Sequence, residues 1–252
     1  MAVGARADRI VRDDPRASQL VAFIDEFASA KVAQADCIYS AVWDLDRAQR
    51  EGMPRLWAAL EPIDGFDQLP PEIRVRRVLA AYQQVAELGY RPYAAAFLKL
   101  LIAGEPTLKH ADGFGAVVGR CHRYLSAEWP AFVDLVDQEV VFLRNAAAHP
   151  TIEPLFPKRR YRLRDNPGGG RPPNARDYSN AEVEAAADRL IAFATPGGSI
   201  QRAADSIRFR LFLRFVLPEE LARLRAALPE CRDLLLRFAD GEDVPGLFTR
   251  RN

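Results

Sequence analysis

The segment Arg144-Asn145-Ala146-Ala147-Ala148-His149 holds the residues of this chain whose types and spacing best suit chemistry. On a helix, four residues make just over one turn, so Asn145 and His149 point in similar directions and the amide can orient the imidazole. Arg144 lies beside them. An imidazole titrates near neutral pH and can move a proton to or from a hydroxyl. A guanidinium brings permanent charge and paired donors to a phosphate. The combination suits metal-independent cleavage of RNA, with the proton moving at the ribose 2′-hydroxyl or the leaving oxygen. The three alanines keep the intervening surface low, so another chain or a phosphate can approach. The same residues also suit a structural role, because cationic side chains in the last turn of a helix complement its dipole.

The other chemically capable residues are more dispersed. His110 lies in the loop Lys109-His110-Ala111-Asp112-Gly113, and His122 lies between Cys121 and Arg123 in a helical stretch. Neither has a partner at metal-ligand spacing, so no metal and no cofactor are expected. The three cysteines, Cys37, Cys121 and Cys231, form no CxxC pair and read as small buried residues. Gly168-Gly169-Gly170 has no strand before it and no Lys-Ser/Thr after it, which excludes a phosphate-cradling loop.

The elements that must position the motif are helical. Asp14-Pro15 opens a helix expected to run from about 15 to 35, or to 50 if the same apolar spacing continues; Gly52 and Pro54 stop it, and a short helix covers 54–60. Pro70-Pro71 opens a helix that Gly89 ends, Pro92 to Ile102 forms the next, and a further helix runs to about Leu125. Phe132, Val133, Leu135, Val136, Val140 and Leu143 place one helix over Glu128–Ala148, ended by Pro150, with Arg144 and His149 at its exposed end. Ser179-Asn180-Ala181-Glu182 is a capping box that starts a helix to about Ala194. Helices over 199–216 and 218–239 complete the chain. The fold class is therefore all-α, a bundle of about eight or nine helices in one domain over 15–239, with flexible termini at 1–14 and 240–252.

Residues 151–178 interrupt this pattern with prolines, three glycines and, between 158 and 176, seven basic residues against one acid. They read as a mobile loop or hairpin insertion, within which 158–164 has the look of a short exposed strand. Arg159, Arg160, Arg162 and Arg164, interleaved with Tyr161, are candidate RNA contacts: the cations would track phosphates and the ring would stack a base. A solvated loop accounts for the same composition.

The motif and its setting resemble the HEPN-domain ribonucleases. In that family an Arg, a polar residue that is often Asn, a short spacer and a His end an apolar helix, and a loop and another long helix follow. Here Val140-Val141-Phe142-Leu143 leads into Arg144-Asn145, Glu139 stands upstream, and Ser179 opens the next helix. The resemblance covers roughly residues 110–195. It implies that Arg144 and His149 are the catalytic pair and that Asn145 supports them. It also implies a homodimer that pairs two motif helices into one composite site, and cleavage that leaves a 2′,3′-cyclic phosphate. Such domains serve in toxin–antitoxin or phage-defence systems, which would supply an antitoxin or other regulatory protein as partner. Two features depart from the family pattern: Pro150 follows the His, and the insertion at 151–178 is long. Thr151 stands where one subgroup carries a modifiable Tyr.

Composition sets the outer bounds. Hydrophobic residues make up 49% of the chain and charged residues 27%, a globular balance. The net charge of +1 hides a skew of 31 Arg to four Lys, which genomic base composition explains as well as RNA affinity does. No run reaches the ~18 apolar residues of a membrane span, and Met1 to Pro15 lacks the apolar stretch of a signal peptide. A cytoplasmic protein without membrane contact is expected. The alternative to a nuclease is a non-catalytic helical module that uses the same fold and basic segment to hold RNA or protein.

Overall fold

A computed structural model describes residues 14–60, 65–66, 68–148, 152–155, 160–165, 174–195 and 197–211. His149, Pro150, Arg159, Cys231 and the helix expected at 218–239 lie outside them. The chain divides into two units, Met1–Ala204 and Asp205–Asn252. Of the second unit, Asp205–Leu211 is described, and there Arg208 pairs with Asp205 at 2.6 Å.

The first unit is a mainly helical bundle. Helix α1 (Arg16–Ala30) starts where the Asp14 carboxylate accepts the Arg16 backbone N–H at 3.1 Å. It buries Leu20, Phe23, Ile24 and Phe27 at the three- and four-residue steps of one helix face. A 3-10 turn (Val32–Gln34) separates it from α2 (Ala35–Leu60). Contrary to the expected break, α2 runs on through Gly52 and Pro54. Proline costs one helical hydrogen bond, and Leu56 and Leu60, both buried beyond it, hold the last turns in place. Helix α3 (Pro71–Val85) does not end at Gly89 either. It passes through a π-helical turn, Ala86–Tyr90, directly into α4 (Arg91–Gly104). Helix α5 (Phe114–Glu128) follows Gly113, whose φ of 81° lies in the left-handed region that favours glycine.

The single helix expected over Glu128–Ala148 is two elements. Pro130–Leu135 is a 3-10 segment, Val136 is extended, and only α6 (Glu139–Ala148) is α-helical. Pro130 sets the break, and the apolar spacing carries across it because both pieces face the same core. Trp129 and Phe132 pack edge-on to Phe23, at 5.7 and 5.4 Å between ring centroids.

Of the two forms expected for the insertion, its described residues take the hairpin, extended by a third strand into an antiparallel sheet. Strands β1 (Glu153–Leu155), β2 (Arg160–Asp165) and β3 (Asn174–Ser179) pair in the order β1-β2-β3. Alternation along β2 turns Tyr161 and Leu163 inward, and Tyr178 of β3 joins them; all three are buried. Helix α7 (Asn180–Ala194) then opens with the expected capping box. Ser179 Oγ accepts the Glu182 N–H at 3.2 Å, and the Glu182 carboxylate accepts the Ser179 N–H at 2.6 Å. Helix α8 (Ser199–Leu211) is the last described element. Within the bundle α2 packs on α4, α3 on α6 and α7, and α6 on β2.

Candidate functional site

Helix α6 is held between the bundle and the sheet. Val140, Phe142, Leu143 and Ala146 are its buried face. At its first turn, Glu139 Oε1 accepts from the Tyr178 hydroxyl at 3.0 Å, and Oε2 accepts from Arg189 Nη2 at 2.9 Å. Burial and the Glu139 carboxylate push the Tyr178 hydroxyl up to about 12, so it stays protonated and donates. The Phe142 and Tyr178 rings stack with centroids 6.1 Å apart, and the Arg176 guanidinium sits 4.5 Å over Phe142. Glu139 therefore braces the start of α6 against the sheet and α7.

Arg144 is not the freely exposed residue that the helix end implied. Its Nε and Nη2 both meet Oε1 of Glu87, in the π-helical turn, and its Nη1 donates to Asn145 Oδ1 at 2.8 Å. Arg91 Nη1 donates to the other Glu87 oxygen at 3.0 Å. The Arg144 guanidinium also lies 6.0 Å from the centre of the Phe114 ring. Partial burial raises the Glu87 carboxyl, but hydrogen bonds from Arg91 and Arg144 outweigh it and hold the group below the usual carboxylate range. Both side chains of the pair remain partly open, 27% for Arg144 and 24% for Glu87. Of the five N–H donors of a guanidinium, three are engaged here; one on each Nη has no partner among the described residues.

The motif is thus brought together in part. Arg144 and Asn145 are bonded to each other, the Asn145 carbonyl oxygen accepting from the arginine. His149 follows Ala148, the last described residue of α6, in the sequence. Glu87, which completes the described part of the site, was missed by sequence reasoning. Its one local sign is the Glu87/Arg91 spacing of an i,i+4 ion pair.

The four candidate RNA arginines have a different setting. Arg159 lies outside the described residues. Arg160, Arg162 and Arg164 share the outer face of β2, and each is ion-paired. Arg162 grips Asp177 with two hydrogen bonds, 2.8 and 3.1 Å. Arg164 meets Glu153 at 3.0 Å, and Arg160 meets Glu182 at 2.9 Å. Tyr161, the candidate base-stacking ring, faces inward at 7% exposure. Arg176, one strand away, is exposed and has no carboxylate partner among the described residues.

Other candidates resolve into structural roles. Cys121 is buried, and its thiol is pushed up to about 12, far from the thiolate a nucleophile needs. Cys37 is exposed instead of buried. His122 Nδ1 lies 3.2 Å from Ser126 Oγ one turn away, and the His110 carbonyl accepts from Arg120. A cleft of about 770 Å³ opens beside the first turn of α6, away from Arg144, where Asp14 pairs with Arg16 and Glu139 with Arg189. Among the described residues no helix is long and apolar enough to cross a membrane, and no three His, Cys, Asp or Glu side chains gather as metal ligands.

No protein-family model, curated protein or solved structure matches the chain. The functional reading therefore rests on its own residues.

Proposed function

We propose that this chain is a metal-independent endoribonuclease of the HEPN type, with Arg144 and His149 as its catalytic pair and Asn145 in support. The observation that carries the reading is the state of Arg144. It is fixed from two sides by Glu87 and Asn145, partly open to solvent, and keeps donors that no described residue engages, five residues before a histidine. His149 removes the proton from a ribose 2′-hydroxyl, the 2′-oxygen forms its bond to phosphorus, and the 5′-oxygen leaves with a proton returned by an imidazolium. Arg144 stabilises the charge that builds on the phosphoryl oxygens.

One imidazole cannot stand on both sides of the phosphorus at once, so a second copy of α6 supplies the other proton-transfer group across a homodimer. The protein works in the cytoplasm, in a toxin–antitoxin or phage-defence setting, under the control of an antitoxin or similar regulatory protein. The test is product chemistry: RNA incubated with the purified protein in excess EDTA is cut and carries 2′,3′-cyclic phosphate ends. If no RNA is cut under any divalent-ion condition, the helical binding module takes its place.

A further inference from the structure

We propose that Glu87 is a positioning residue for this site, holding one edge of the Arg144 guanidinium so that the remaining donors face a substrate phosphate. The inference rests on the ribonuclease reading above. Four features of the molecule argue for it.

The carboxylate comes from a π-helical turn, a geometry that recurs at functional sites and that regular α-helix would not produce. Glycine lets that turn sit where it does, because a Cβ on Gly89 would overlap the Ala194 carbonyl at the end of α7. Next, the pairing is one-sided. Nε and Nη2 of Arg144 converge on the single oxygen Oε1, while Arg91 donates to Oε2. Glu87 thus does not make the two-oxygen grip on Arg144 that Asp177 makes on Arg162.

Charge makes the third argument. Glu87 is one anion shared by two guanidiniums, so the Arg91–Glu87–Arg144 group keeps a surplus positive charge. The outer face of the sheet balances three arginines with Asp177, Glu153 and Glu182. The fourth is Asn145, whose Oδ1 fixes Nη1, so the guanidinium is held at both ends before any ligand arrives. A group that costs no reorganisation when charge develops is what transition-state stabilisation requires.

The experiment is steady-state RNA cleavage by the full chain carrying Glu87→Gln, Glu87→Asp, Arg144→Ala or Glu87→Gln with Arg144→Ala, with a melting curve for each. Glu87→Gln keeps the shape and removes the charge. It should lower kcat about 10- to 100-fold without raising KM, because the site becomes more positive and still attracts RNA. Glu87→Asp should fall between it and the wild type, and the double variant should be no slower than Arg144→Ala alone. Glu87→Gln with wild-type kcat overturns the proposal while leaving the ribonuclease reading intact. So does a rise in KM and a fall in kcat that track a lost melting temperature, the behaviour of a merely structural pair; if Glu87→Gln does not fold, Glu87→Asp decides by the same split. A wild type that cuts no RNA removes the ribonuclease reading, and this role with it.

Discussion

The outer face of the sheet and the end of α6 both present arginines, yet they treat them in opposite ways. On the sheet, Arg160, Arg162 and Arg164 meet carboxylates from neighbouring strands or the adjoining helix start, and the charges cancel. At the end of α6, Arg144 reaches across 57 positions of sequence to a carboxylate that a second arginine already uses. The three arginines of β2 are therefore poorer anion sites than their density implies. An arginine's capacity for phosphate depends on how many of its donors and how much of its charge its neighbours leave unspent.

This contrast can be broken most forcefully at Arg144. Arg144→Ala should slow RNA cleavage about 100- to 1,000-fold, the cost of removing one preorganised donor. It should also lower stability by about 1–3 kcal/mol, because Glu87 loses a charged, half-buried partner. Chemical denaturation alongside the cleavage assay checks both. An unchanged stability would mean that the Glu87 pairing does not hold in solution.

The sheet is tested next. Leu163 is fully buried, so Leu163→Ala should cost about 2–5 kcal/mol, read from the urea midpoint. A neutral result would mean that β2 does not pack on the bundle through Leu163. Changing Arg160, Arg162 and Arg164 together to Ala sharpens the point from the other side. If each neutralised a phosphate, the slope of log affinity against log salt for single-stranded RNA would fall by about 2. Because each would first have to exchange a carboxylate for the phosphate, the expected change is under about 1, measured by fluorescence anisotropy across a salt series. Exposed pairs of this kind add little to stability, so the triple variant should melt near the wild type.

The smallest effect is acid-dependent. The folded-state Glu87 carboxyl is held below its ordinary value of 4.5. A depressed carboxyl contributes stability that is complete above the unfolded-state value and is lost as pH falls through the folded-state value. The melting-temperature gap between wild type and Glu87→Gln should therefore be constant at neutral pH and close below about pH 4.5. A gap that persists in acid would show that the carboxylate's charge contributes nothing.

Where the determinants are local, the sequence is readable. The Ser179/Glu182 capping box, the Asp14-Pro15 start and the apolar spacing of α1 all stand in the structure as their residues imply. Local signals fail where distant packing overrides them. Buried Leu56 and Leu60 carry α2 through Pro54, and the π-helical turn carries α3 past Gly89 because α7 packs against that glycine. At Pro130 the fault was reversed: a shared core face disguised a backbone break. The short strand expected within 158–164 stands as β2, but it is not exposed on both faces: Tyr161 and Leu163, alternating between arginines, are buried. Arg144 and Asn145 could be picked out by type and spacing; Glu87 could not, since nothing along the 57 positions that separate it from Arg144 marks the contact.

The central claim is that the end of α6 carries out proton transfer on RNA, and His149→Ala tests it most directly. Single-turnover cleavage of an end-labelled RNA in EDTA should be about 100- to 10,000-fold slower in the variant than in the wild type. The two proteins should share a melting temperature to within a few degrees. Equal cleavage rates, or a variant that loses activity only because it has lost its fold, would contradict the account.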